Sequence, residues 1–386
     1  MLSSGGTVTI CKFFEFIIER RRTARFSVDT VIFTADIGGT TTRLALFTEQ
    51  TGGPAMVRRK DYRNCDFDSF GGIVADFLDG EETIHSACVA AAGPVLDGAV
   101  LITNLSWRIE ERDIARMVGV DRALLVNDLV ALAAGTPHLE DTDLVCLHPK
   151  GYHRRRRRGT AAIVAAGTGL GEAYLVPMKR GVVTAMVPRP SEGGHADYPP
   201  RNNEETALFE YLRSRYGHVS KERVISGGGI RSIYEFLRDT GRAEPDPEVE
   251  RLFNRGADGS DTIPSREGPT DPNQIITRNA LEGVSDISIL TLRMFVSAYG
   301  AEAGNMALML MADGGVYIGG GIAPKILPAL TEGLFIESFL DKGRLSNYLK
   351  GVPVWVITNP AVQLIGAAHL AVGNDEDMEV IDERQG

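Results

Sequence analysis

Apolar positions along this chain fall into strand-like runs and helix-like periodicities, and the same order appears twice. Val31 to Ala35 is a short apolar run that reads as a buried strand. Arg43 to Phe47 follows after a tight turn as its hairpin partner, and Met56 to Tyr62 adds a third antiparallel strand. Phe67, Phe70, Ile73, Val74, Phe77 and Leu78 then recur at helical spacing and predict an amphipathic helix. His85 to Ala92 is a strand closed by Gly93-Pro94. Leu124 to Val126 is a strand closed by Asn127-Asp128, with a helix starting near Leu129. That order describes a three-strand meander feeding parallel crossovers.

The second half repeats it. Ala161 to Ala166, Glu172 to Pro177 and Val182 to Val187 predict another meander. Ala207, Leu208, Tyr211 and Leu212 share one helix face, as do Ile230, Ile233, Tyr234 and Leu237. Arg242 to Asn273 is rich in Pro, Gly and Asp and predicts a long, partly mobile excursion. Ile287 to Met311 reads as a long helix, whose Gly300, Ala301 and Gly304 would let another element come close. Val316 to Ile318 is a strand ending on Gly319-Gly320-Gly321, Val352 to Thr358 the last strand, and Ala361 to Val372 the last helix. Because an Asn359-Pro360 break precedes that helix, it is expected to cross back to the first half. A duplicated pair of α/β domains with a cleft between them is the simplest architecture.

Composition narrows the class. With 386 residues the chain has room for two cores, and 43% hydrophobic with 24% charged residues is ordinary for a soluble globular protein. No apolar run approaches the length of a membrane span, so no membrane association is expected. A net charge of −10 disfavours a general nucleic-acid binder, which needs a basic face. The four cysteines, Cys11, Cys65, Cys88 and Cys146, form no Cys-x-x-Cys pair. Zinc and disulfide frameworks are unsupported, and a reducing, cytoplasmic setting is expected. Residues 1–30 hold a short apolar run and Arg20-Arg21-Arg22, with acidic residues that suit neither a secretory signal nor a transit peptide. They read as a dispensable extension, or as the product of a start codon assigned too early. Arg154 to Arg158 reads as a solvated hairpin or loop.

The candidate chemistry sits at strand ends. Asp36-Ile37-Gly38-Gly39-Thr40 and Gly167-Thr168-Gly169-Leu170-Gly171 each follow an apolar strand, one in each half. Glycine there permits positive φ and brings backbone amides close to an anion, so the two turns suggest two walls around one polyphosphate. Asp36 either meets a magnesium ion beside phosphates or caps its own turn. The second turn is not the Gly-x-Gly-x-x-Gly fingerprint, and the chain has no Gly-Lys-Ser/Thr P-loop, which disfavours a Rossmann hydride-transfer enzyme. Asp128 has the chemistry to take a proton from a hydroxyl, and Asn127 to donate to and accept from a sugar; a helix N-cap is the other reading of this pair. Glu192 and His195, around Gly193-Gly194, are able to reach one polyhydroxylated ligand, whereas no further His or Cys at ligand spacing supports a metal. Asn104 and Glu222, taken singly, read as surface or capping residues.

Taken together these segments resemble the bacterial glucokinase family, the hexokinase-type group distinct from the ROK kinases. The matching segments are Asp36 to Arg43, Thr103 to Trp107, Asn127-Asp128, Ala166 to Gly171, Glu192 to His195, His218 to Gly227 and Gly314 to Pro324, in order from Val31 to about Leu370. The zinc-type cysteine cluster of ROK sugar kinases is absent. Three positions depart from the family's pattern: Thr41 stands where Asn is usual, Ser191 where Gly is usual, and Gly228 where Pro is frequent. The first puts one phosphate-side contact in question and the other two affect loop stiffness.

The resemblance implies an α/β, two-domain actin-like ATPase (ribonuclease H-like) fold with an interdomain cleft. The expected division is residues 31–138 plus 359–386 for a small domain and 139–358 for a large one. It also implies ATP-dependent phosphorylation of D-glucose at its 6-hydroxyl, giving glucose 6-phosphate for glycolysis. Asp128 would be the general base, and Asn104, Asn127, Glu192, His195 and Glu222 would hold the sugar. Asp36 would organise Mg2+, through water. Gly38, Gly39, Thr40, Gly167, Thr168 and Gly169 would cradle the phosphates of ATP, with Gly320 and Gly321 beside its adenosine. A homodimer is implied as well. A kinase for another hexose, a non-catalytic sugar sensor and an actin-like or chaperone-type ATPase without a sugar site are the competing readings. Asp36 and Asp128 argue against the sensor, and the Asn127, Glu192, His195 and Glu222 set argues against the plain ATPase.

Overall fold

The computed structural model describes residues 30–78, 80, 83–102, 105–149, 159–180, 183–257 and 271–373. The extension at 1–29, Asn104 and the Arg154–Arg158 run lie outside the described residues.

Two sheets organise the chain. The first runs β3-β2-β1-β4-β7, from β1 (Val31–Ile37), β2 (Thr41–Gln50), β3 (Gly53–Arg63), β4 (Ile84–Ala91) and β7 (Ala123–Asn127). β1, β2 and β3 form an antiparallel meander, and β1, β4 and β7 run parallel. The second runs β11-β10-β9-β12-β13-β8, from β8 (Leu144–His148), β9 (Ala161–Ala166), β10 (Leu170–Arg180), β11 (Val183–Ser191), β12 (Gly315–Gly319) and β13 (Val354–Ile357). It repeats the plan: β9 to β11 meander, and β9, β12 and β13 are parallel. The inner strands explain their own sequences. Ile32 to Ile37 and Ala161 to Ala166 are buried throughout, as a strand covered on both faces requires. Since parallel strands all end at one edge, Asp36, Gly93 and Asn127 come together in one sheet, and Gly167 and Gly320 in the other.

Twelve α-helices complete the described chain: α1 (Phe70–Phe77), α2 (Glu111–Val118), α3 (Asp128–Gly135), α4 (Asn203–Tyr216), α5 (Gly227–Asp239), α6 (Pro247–Ala257), α7 (Pro272–Leu281), α8 (Asp286–Met309), α9 (Leu327–Thr331), α10 (Leu334–Leu340), α11 (Ser346–Leu349) and α12 (Val362–Val372). α12 returns to the first sheet, packing on β1 and β4 and crossing α3. The crossing is tight because both helices have glycine there: a Cβ on Gly135 would overlap Val362 O, and one on Gly366 would overlap Ala131 O. Gly300 and Gly304 play the same part on α8, facing the carbonyls of Phe335 and Phe339 on α10. Tyr299, just before Gly300, is fully buried, with Phe295 and Phe335 each edge-on at 5.7 Å.

Three features depart from the sequence expectations. α6 occupies part of the supposed 242–273 excursion. Its start is well specified, because Asp246 Oδ1 accepts from Glu248 N at 2.9 Å, Pro247 opens the helix, and Val249 is fully buried. Proline and aspartate there are helix-start signals rather than loop signals; residues 258–270 lie outside the described residues. β8 was not anticipated, since Leu144–His148 is a half-buried edge strand without strong periodicity. Nor was the hairpin of β5 (Ala99–Ile102) and β6 (Trp107–Glu110). Among the described residues no helix is long and apolar enough to cross a membrane.

Candidate active site

The first turn is built on a register. β1 and β2 pair Asp36 with Arg43, and Arg43 Nη1 donates to Asp36 Oδ2 at 2.8 Å. Asp36 is 4% exposed, and burial raises its carboxyl above the ordinary range despite the opposing pull of Arg43. Asn64 braces the turn from behind. Buried itself, it accepts from Thr42 Oγ1 at 2.7 Å and donates to Gly38 O at 2.8 Å. Thr41 contributes its carbonyl, accepting from Gly38 N at 3.0 Å. Thr40 stands exposed at the tip.

The catalytic candidates lie where β7 becomes α3. Asn127 does cap the helix, as one reading of the sequence held: its Oδ1 accepts from Leu129 N at 2.9 Å, and its Nδ2 donates to Gly93 O at 2.9 Å. That bond ties β7 to the turn after β4 and still leaves one amide hydrogen for a ligand. Asp128 Oδ1 accepts from Leu129 N at 3.0 Å. Burial, then the nearby charges of Asp36 and Glu192, push the Asp128 carboxyl up to about 7, against the bonds from the helix start. The charges of Asp36 and Glu192, from two other elements, therefore both act on Asp128.

The second turn approaches from the other sheet. Gly167 N donates to Gly169 O at 2.8 Å, and Thr168 is exposed at the tip. A Cβ on Gly171 would meet the Leu129 side chain, so this glycine lets α3 seat its first turn against β10. A cavity of about 410 Å3 opens beside Thr168, lined also by Ser226, Gly228 and Arg231. Gly320 has φ of +81° and lies against the Ala166 backbone, where a Cβ would collide. Gly321 is exposed beside it.

Glu192 and His195 sit on a short turn after β11, with side chains 76% and 63% exposed and 3.9 Å between His195 Nε2 and Glu192 Oε2. Gly194 packs directly on Leu170 O, which joins this turn to the second glycine turn. Glu222, in the Lys221–Arg223 turn, accepts from Leu170 N at 3.0 Å through Oε2. The structure thus links Glu192, His195 and Glu222 to one wall and sets Asp36, Asn127 and Asp128 on the other. Sequence reasoning missed Asn64, Glu172, Lys221 and Tyr299, all buried supports of these turns. Tyr299 Oη accepts from Ala166 N at 3.2 Å and donates to Val164 O at 3.0 Å, beneath both glycine-ended strands of the second sheet. A polar side chain inside an otherwise apolar helix face was the only signal for it.

A family model described as Glucokinase matches residues 33–374. A glucokinase of Nostoc punctiforme is 39% identical over 344 residues, covering 88% of this chain and 98% of that protein. Among solved structures, a glucokinase from an Antarctic psychrotroph is 29% identical with a TM-score of 0.68, covering 88% of this chain and 98% of its own. A glucokinase from Balamuthia mandrillaris in complex with glucose is 21% identical with a TM-score of 0.70, covering 94% and 99%. The chain has the actin-like ATPase fold that these structures share.

Proposed function

The chain belongs to the glucokinase family, and we propose that Asp128 is the general base for its reaction, transfer of a phosphoryl group from ATP to the 6-hydroxyl of glucose. The carrying observation is a carboxyl at the junction of β7 and α3, held by the helix start and pushed up to about 7 by burial and by the charges of Asp36 and Glu192. A base poised near the working pH combines a usable ionised fraction with enough basicity to draw a hydroxyl proton. The rest of the reaction is positioning and charge stabilisation.

Glu192, His195, Glu222 and the spare amide hydrogen of Asn127 would hold the sugar hydroxyls, with Asn104 joining them. Binding would cover Glu192 and His195, now largely exposed, and exclude water so that the sugar rather than water meets the phosphoryl group. The turns at Gly38-Gly39-Thr40 and Gly167-Thr168-Gly169 would take the phosphates, and Gly320 and Gly321 the adenosine side.

The residues present suit magnesium. Asp36 is a buried carboxylate held above its usual range, and its charge in turn raises Asp128, so an added cation near Asp36 would relieve both. Among the described residues no three metal-ligating side chains cluster, which fits an ion carried by phosphates and met by Asp36 through water. When bound, it would neutralise phosphate charge. A homodimer follows from the family resemblance, and light scattering on the purified chain tests it.

ADP release from MgATP, with and without glucose, in wild type and Asp128→Ala, tests the central reading. Glucose-dependent release should fall roughly 10²–10⁴-fold in the variant. Near-normal turnover in Asp128→Ala would remove it from the base role.

A further inference from the structure

Behind the sugar-side turns lies a buried group of charges that the phosphoryl-transfer reading leaves unused. Glu172, immediately after the second glycine turn, is 1% exposed, and Glu302, within α8, is 2% exposed. Lys221 stands between them at 7% exposure. Its Nζ donates to Glu302 Oε1 at 2.7 Å and lies 3.6 Å from Glu172 Oε1, within ion-pair range but too far for a hydrogen bond. Neither carboxylate oxygen of Glu172 has a hydrogen-bond partner. Glu302 is satisfied further by Asn305 Nδ2 at 3.0 Å.

The three residues connect the elements that carry the sugar ligands. Glu172 pairs with Ser191 across β10 and β11, and a Cβ on Gly193 would run into its carboxylate, so the Glu192–His195 turn rests on Glu172. Lys221 opens the turn that holds Glu222, and its backbone N donates to Ala196 O at 2.9 Å. Buried charge triads contribute little net stability, because desolvation offsets their attraction, while removing one member leaves an uncompensated charge. Their structural value is a directional, short-range geometry.

We infer that Glu172, Lys221 and Glu302 are positioning residues for the sugar site: the triad fixes the Glu192–His195 turn and the Glu222 turn at the separation needed to grip one hexose. This rests on the reading that Glu192, His195 and Glu222 bind the sugar. Glu172 also makes the grip sensitive to proton binding. Burial first, and then Glu302, push its carboxyl up to about 8, with Lys221 opposing. The Ser191 hydroxyl accepts from Gly193 N above Glu172, Asn305 bonds Glu302, and the Lys342 ammonium feels the charge of Glu302. As pH rises through that value, a second negative charge forms beneath Gly193 and loosens the turn.

The test measures KM for glucose, KM for MgATP and kcat from about pH 6 to 9 in wild type, Glu172→Gln, Lys221→Met and Lys221→Arg, with Glu192→Gln and His195→Ala in parallel. Lys221→Met should raise KM for glucose about 10-fold, a loss of about 1.4 kcal/mol, with kcat and KM for MgATP within about 3-fold. Lys221→Arg should recover most of that loss. Wild-type KM for glucose should climb above pH 8 and stay level in Glu172→Gln. If Lys221→Met fails to fold, the pH profile of Glu172→Gln decides. Wild-type sugar KM across the range in the folded triad variants, alongside raised KM in Glu192→Gln and His195→Ala, overturns the positioning role alone. Unchanged KM in those last two would instead overturn the sugar-site reading.

Discussion

The two glycine turns occupy equivalent places in a duplicated sheet, yet they differ in what stands around them. In the first, the strand ends in a carboxylate, Asp36, paired with a partly exposed arginine one strand away. In the second, the corresponding strand ends in Ala165-Ala166, and the acidic groups lie further along: Glu172 is buried beneath Gly193, and Glu222 braces the turn by accepting from Leu170 N. The first turn carries chemistry on side chains. The second carries shape on backbone, with glycines at 169, 171, 193 and 194 letting Glu222, Leu129, Glu172 and Leu170 approach. Duplication supplied one frame, and each copy specialised by where it keeps its charge.

That contrast is breakable. Asp36→Ala should lower kcat by roughly 10²–10³-fold, since it removes charge management at the phosphates while leaving the fold intact; steady-state kinetics with circular dichroism checks both halves of the statement. Gly171→Val should do the reverse, costing about 1–3 kcal/mol of stability through overpacking against Leu129, as urea denaturation would show. Equal stability losses in the two variants would erase the distinction. A smaller effect concerns protons. On the proposed mechanism Asp128 must be ionised to act as the base, so kcat/KM for glucose should fall as pH drops through about 7, and Asp36→Asn should move that limb to lower pH by removing a neighbouring negative charge. A fixed limb would separate Asp36 from Asp128 electrostatically. The smallest effect is on stability. A carboxyl raised in the folded state favours folding while protonated and loses that advantage as pH rises toward 7. Asp128→Asn should therefore raise Tm by about 2–4 °C at neutral pH, in scanning calorimetry, though it removes activity.

Much of the frame was legible in the sequence, because buried parallel strands are written as apolar runs and their ends as glycine or Asn-Asp. The placement of two candidates was legible too: Asp36 beside its turn, and Asp128 where a strand gives way to a helix. What escaped was support acting across long separations. Lys221 reads as a surface lysine until α8 brings Glu302, 81 residues away, into contact. Asn64 reads as a loop residue until β3 folds it under Gly38, 26 residues back. The helix at Pro247 escaped for the opposite reason: its start is local, but its prolines and acids were weighed by composition instead of position.

The glycine-to-glycine crossing of α3 and α12 has a practical side. α3 begins at Asp128 and ends at Gly135, where α12 lies against it, so a few residues of α12 are mechanically geared to the helix that carries the proposed base. Fusion partners, purification handles and surface immobilisation attached after Val372 would pull on that gear.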